Sequence, residues 1–303
     1  MKAITPKIVA DGIISTYGLM SPSSLLREVI ENHLIASGLS ELDSFEKSET
    51  LTEPVRTEIQ KYLLSCKQLS FFPACQLVGS QQEILIGSAY PRPDDTPERK
   101  IVRNAICLQD TIRLALCNLQ PHIFEQFTAQ YLHYLGAWQT RVTPRTNDGG
   151  FDVLAKFPLV HVPSIFNEFF CPLHLHTKAL GQAKCYPPDK PVGVDEVREL
   201  AGSFLIRLYT DIVGGKPIVS IEEFFGAIRL CDPLLCLFLT TSYFSPQADT
   251  LARRCGILPL NGKQIAAHLA LGKIGVVSKD GTENFCSDAF HQWISQSQNV
   301  QKC

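Results

Sequence analysis

Apolar residues recur three or four positions apart at Leu25, Leu26, Val29, Ile30 and Leu34, which predicts a helix capped by Ser21, opened by Pro22 and ended by Gly38. A second helix is expected over Glu53 to Cys66. The pattern then changes period: "ACQLVGSQQEILIGSAY" reads as two short strands turning between Gly79 and Gln82. From Tyr90 to Lys100, "YPRPDDTPERK" is rich in proline and charge with no apolar period, the signature of a linker. Beyond it helical spacing returns at Phe124, Phe127, Tyr131 and Leu135, with Gly136 as terminator, and again at Val197, Leu200, Ala201, Phe204, Leu205 and Leu208. "LLCLFLTTS" has the composition of a buried strand; Ser245 and Pro246 open a helix that Gly256 closes, "ILPL" is another strand and "NGKQIAAHLALG" a last helix. Alternating strands and helices predict an α/β fold, a central mixed sheet flanked by helices. A smaller, mostly helical domain carrying a β-hairpin precedes it, so the expected domains are 1–95 and 96–303. Helices followed by a hairpin suit a winged helix, a DNA-reading module, among other small folds.

Composition narrows the class. The 303 residues are 45% hydrophobic, enough to fill a sizeable core. No apolar run is long enough to span a membrane, and "MKAITPKIVADG" lacks the apolar centre of a signal peptide, so a soluble, cytoplasmic protein is expected. The 11 cysteines are scattered without a C-x-x-C pair and are read as reduced, buried thiols. A net charge of −2 offers no general attraction for nucleic acid, so any DNA-binding surface must be local.

Candidate chemistry sits on two strand-like segments. "TPRTNDGGFDVLAKF" places Asp152 just after the tight bend allowed by Gly149 and Gly150, and "ALGQAKCY" carries Lys184 inside an apolar run, with small Gly181 and Ala183 flanking Gln182. A carboxylate is a hard oxygen ligand suited to Mg2+; a neighbouring lysine can orient water or hold transition-state charge. Together they suit hydrolysis of a phosphodiester. Gln182 also suits a buried amide that satisfies backbone groups. Arg141 and Arg145 precede the pair as candidate phosphate contacts. Cys171, His174 and His176, with His161 upstream, have ligand-like spacing, but no further pair completes a zinc site. The hydroxyls from Thr240 to Ser245 lack a nucleophile elbow and are expected to end a strand and cap a helix.

In the order "FEQFTAQYLHYLGAW", "NDGGFDVLA", "GQAKCY", "VGVDEVRELAGSF", "FLTTSYFSPQADTLA" and "GILPLNGKQIA", the chain resembles the Mrr-like restriction endonucleases of the PD-(D/E)xK nuclease superfamily. The resemblance covers most of Ile123 to Leu269 and implies a restriction-endonuclease-like core. It implies that Asp152 is a metal ligand, Lys184 acts at the hydrolytic water and Glu125 supports them as a further ligand or proton acceptor. The backbone carbonyl of Ala183 is implied as another ligand. Gln182 stands where the wider superfamily has a carboxylate. The expected activity is Mg2+-dependent cleavage of double-stranded DNA in restriction or defence, with Mn2+ as a substitute ion. Cutting both strands of a two-fold symmetric duplex favours a homodimer or higher assembly. The alternatives are an RNA or single-strand nuclease of the same fold, and a non-catalytic nucleic-acid-binding protein.

Overall fold

The computed structural model describes residues 4–69, 71–144, 149–158, 176–212, 219–226, 228–229, 231–279 and 282–296. The chain divides into two compact units, Met1–Asp110 with Ala267–Lys273, and Thr111–Ala266 with Ile274–Cys303.

The first unit begins with helix α1 (Pro6–Thr16), capped by Thr5, followed by the two-residue strand β1 (Ser24–Leu25) and helix α2 (Leu26–Ala36). The helix expected to open at Pro22 thus starts four residues later. β1 pairs with a strand further on, and the Leu26 N–H donates to Glu83 O at 2.8 Å, so tertiary pairing overrides the local capping signal. Helix α3 runs over Glu41–Gln68, capped by Ser40 and with Pro54 inside it. The sequence pattern hid its first half because Ser44 and Ser48, fully buried, occupy the inward stripe where apolar residues are the usual signal. That half exposes Glu41, Asp43, Glu46, Glu49 and Glu53. The hairpin of β2 (Cys75–Val78) and β3 (Ile84–Gly87) forms as expected, with positive φ at Gly79 and Gln82, and the sheet order is β1-β3-β2. Val9, Ile13, Leu26, Ile30, Leu34, Val55, Ile59 and Leu85 make its core.

The stretch read as a linker is anchored. Asp95 accepts from both Nε and Nη2 of Arg103, its side chain 1% exposed, and Arg92 donates to Gln76 Oε1 at 3.0 Å. Pro97 then opens helix α4 (Pro97–Cys117). Asp95 is held down at about 2, chiefly by the Arg103 hydrogen bond, with burial opposing.

The second unit is built on a five-stranded mixed sheet in the order β4-β5-β6-β7-β8: β4 (Gln139–Val142), β5 (Val153–Pro158), β6 (His176–Lys184), β7 (Leu234–Thr240) and β8 (Ile257–Leu260). β4, β5 and β6 run antiparallel; β6, β7 and β8 run parallel. Leu154, Leu180, Cys236 and Phe238 share a core with α6 (Val194–Ile212), α7 (Val219–Phe225) and α8 (Pro246–Arg254). Val153, Ala155, Ala179, Leu237 and Leu239, the alternate positions, are buried too, as in a sheet covered on both faces. Helix α5 (Pro121–Tyr134) lies against β4, β5 and β6. Helix α9 (Gly262–Leu271) is not the last: β9 (Val276–Lys279), β10 (Thr282–Phe285) and α10 (Ser287–Ser295) follow. The α10 ring of Phe290 lies 5.8 Å from Phe127 of α5.

No described helix is long and apolar enough to cross a membrane. Among the described cysteines Cys75 and Cys236 are buried thiols, pushed up to about 12 by burial, but Cys107, Cys231 and Cys255 are exposed. These three depart from the expectation that the cysteines are buried.

Candidate active site

Asp152 lies between β4 and β6 just before β5. Its N–H donates to Gly181 O at 2.9 Å and its carbonyl accepts the Thr143 N–H at 3.0 Å. One residue's amide and carbonyl therefore serve opposite neighbours, a local break in the regular ladder of the kind a bulge makes. The break turns the carboxylate toward β6, where Oδ2 accepts the Ala183 N–H at 2.7 Å. The preceding turn makes this possible. Gly149 and Gly150 have φ of 66° and 86°, and a Cβ on Gly150 would stand 2.7 Å from Ser203 Oγ on α6. Thr143 Oγ1 also donates to Phe151 O, fixing the other side of the bend.

Gln182 lies beside this turn and is 5% exposed. Its Nε2 donates to Gly150 O at 3.4 Å, while its buried Oε1 has no hydrogen-bond partner among the described residues. An orphaned amide oxygen costs about 1–3 kcal/mol, and a hard cation or its bound water would satisfy it. Gly181 O faces β5, so two residues on the Ala183 carbonyl faces the same side, next to Asp152. One carboxylate, one amide oxygen and one backbone carbonyl make an all-oxygen donor set that fits Mg2+, which takes few protein ligands. Among the described residues no three His, Cys, Asp or Glu side chains gather as metal ligands.

Lys184, half-buried, is the last residue of β6, two along from Gln182 on the same face of the strand. Glu125 is half-buried in the first half of α5. Arg141 is in β4. Its guanidinium lies 5.1 Å from the Phe224 ring centroid and 3.8 Å from Glu223 Oε2 on α7. Arg145, His161, Cys171 and His174 lie outside the described residues; His176 begins β6, edge-on to Trp138 at 6.2 Å.

The sequence did not single out several residues at this end of the sheet. Exposed Lys190 holds its Nζ 4.0 Å from the Tyr186 ring centroid, and the Tyr186 hydroxyl donates to Glu196 at 3.3 Å. Burial, then Glu196, raises the Tyr186 phenol above its ordinary range. Gly181 packs where a Cβ would stand 2.7 Å from Val153 Cγ1, so its smallness serves strand packing rather than ligand approach. Of the hydroxyls from Thr240 to Ser245, Ser245 caps a helix, while Thr240 bonds to Lys184 O at the end of β6 and Thr241 to Tyr186 O just beyond it. Paired hydroxyls directly after a buried strand were the available signal.

The central strand of the mixed sheet thus carries Gln182 and Lys184 beside Asp152. Residues 116–213 match the family model Mrr_cat, described as restriction endonuclease. Among solved structures the chain is similar to the MspJI restriction endonuclease in complex with a 27-mer oligonucleotide, at 16% identity and a TM-score of 0.40 over 75% of this chain and 42% of that one. It is also similar to the DNA modification-dependent restriction endonuclease AspBHI (18%, 0.38, 75% and 44%) and to FokI bound to DNA (10%, 0.37, 88% and 44%). The chain thus spans less than half the length of each of these three. No curated protein sequence matches it.

Proposed function

We propose that the chain is a Mg2+-dependent endonuclease that hydrolyses phosphodiester bonds of double-stranded DNA, acting in the cytoplasm as a restriction or related defence enzyme. The observation that carries this reading is the bond from the Ala183 N–H to Asp152 Oδ2, which holds a carboxylate against the strand bearing Gln182 and Lys184. Asp152, the Ala183 carbonyl and, from α5, Glu125 would hold the ion, with Gln182 Oε1 meeting it or its water shell. When bound, Mg2+ polarises the scissile phosphate and offsets its developing charge. Lys184 orients the attacking water and stabilises the charge that builds on the phosphoryl oxygens. Mn2+ is the expected substitute.

Arg141 and Arg145 are proposed phosphate contacts; Arg141 would exchange its long pair with exposed Glu223 for a phosphate. Target reading is assigned to the N-terminal domain, residues 1–95, and cleavage to 96–303. The helix–strand–helix–helix–hairpin order of the first unit supports a winged-helix reading of it. A homodimer would supply one site per strand.

The test is cleavage of methylated and unmethylated plasmids, with Mg2+ and with chelator, by wild type, Asp152→Asn and Lys184→Ala. Both variants should lose at least about 100-fold in rate while binding DNA in Ca2+ as wild type does. Wild-type cleavage by either variant would overturn the assignment.

A further inference from the structure

We infer that Thr240 is a positioning residue for Lys184, an inference that rests on the nuclease reading above. β6 ends at Lys184, opposite Thr240, the last residue of β7. At this terminus the ladder to β5 has already ended at Gly181 and only β7 still pairs, yet Lys184 is where the reading needs a side chain aimed. The Thr240 side chain supplies a second restraint there. Fully buried, its hydroxyl donates to the Lys184 carbonyl at 2.9 Å and accepts the Ser242 N–H at 3.2 Å, so both its roles are satisfied. The ladder's own bond at this carbonyl, from the Thr241 N–H, is longer, at 3.3 Å. Two residues on, the Thr241 hydroxyl donates to Tyr186 O at 2.7 Å and accepts the Tyr186 N–H at 2.8 Å. The chain is therefore gripped at residues 184 and 186, either side of Cys185. The peptide following Lys184 cannot rotate, and the direction of its Cα–Cβ bond is set.

A hydroxyl spent on a backbone carbonyl at the end of the catalytic strand holds geometry rather than reacting. A lysine displaced by about 1 Å from the attacking water loses up to about 100-fold in rate. Removing the hydroxyl at constant volume should therefore slow the chemistry and leave DNA affinity alone.

The experiment compares Thr240→Val, Thr240→Ser and, as a control of similar local stability, Ser245→Ala, which removes the α8 cap without touching β6. Single-turnover cleavage of plasmid in Mg2+ is measured with DNA affinity in Ca2+. Independently of activity, lysines are reductively methylated with a 13C label, and the Lys184 resonance is assigned through Lys184→Arg. Thr240→Val should lose roughly 10- to 100-fold in rate, keep its DNA affinity and shift the Lys184 resonance. Thr240→Ser should restore both rate and resonance, and Ser245→Ala should change neither. An unshifted resonance in Thr240→Val, or an equal loss of rate in Ser245→Ala, would overturn the inference. If Asp152→Asn cleaves as wild type does, the nuclease reading falls, while the Lys184 resonance still decides whether Thr240 places the amine.

Discussion

Lys178 Nζ and Asp232 Oδ2 lie 2.6 Å apart, with both side chains 6% exposed, where β6 enters the sheet. Burial opposes ionisation of Asp232, but the bonds from Lys178, the Arg229 N–H and the Arg229 guanidinium outweigh it and hold the carboxyl down at about 2. Asp232→Asn alone should cost about 3–5 kcal/mol, because it strands a buried ammonium. Lys178→Met combined with Asp232→Leu should recover much of that loss in chemical denaturation; a double variant as unstable as the single one would contradict this account. Since the folded carboxyl titrates below its unfolded value of about 3.9, its contribution is full above that value and fades as pH falls toward 2. Melting of Asp232→Asn should therefore depend less on pH than wild type over that acid window.

Gln182→Glu adds charge at an oxygen already directed into the site, at the expense of the Nε2 bond to Gly150 O. The variant should melt lower than wild type in chelator, rise more steeply on adding Mg2+, and retain at least partial cleavage. Gln182→Leu should lose the metal-induced rise altogether. Equal Mg2+ shifts in all three proteins would separate Gln182 from the ion.

Gly150→Ala puts a methyl on a residue with φ of 86° and within 2.7 Å of Ser203 Oγ. A loss of about 1–3 kcal/mol is expected, with cleavage falling more than stability because the turn aims Asp152. Adding Ser203→Ala should relieve the clash but not the backbone strain, so recovery should be partial. Full recovery would show that the strain is negligible.

Asp95→Ala removes the carboxylate that ties Arg103 to the turn before α4. Limited proteolysis should then cut between Tyr90 and Lys100 sooner than in wild type. Unaltered digestion would mean that the ion pair does not secure this segment.

Much of the second unit was legible because its signals are local. Ser245 caps α8, Gly256 ends it at φ of 73°, and Phe124, Phe127 and Tyr131 mark the buried side of α5. Asp152 and Gln182 could be paired from motif order because the glycine turn and the small residues of β6 sit next to them in sequence. The bulge that turns Asp152 was not legible: it depends on Thr143, just past β4, and Gly181 of β6 meeting it from opposite sides. Nor was the strand around Arg141, whose pairing with β5 is a long-range event. In the first unit β1 is two residues long and has no pattern of its own until the β3 edge recruits it.

The carboxylates exposed along the first half of α3 set the sign of a salt response. A polyanion approaching it is repelled by Glu41, Asp43, Glu46, Glu49 and Glu53, a charge that Lys47 and the partners of Glu49 and Glu53, Arg27 and Arg56, offset only in part. Ionic strength screens repulsion as well as attraction, over about 10 Å at 0.1 M. Each cationic contact with DNA makes affinity fall as salt rises, whereas this helix makes it fall less. The intact chain should therefore bind DNA with a shallower salt dependence than its number of phosphate contacts implies, and neutralising these carboxylates should steepen it.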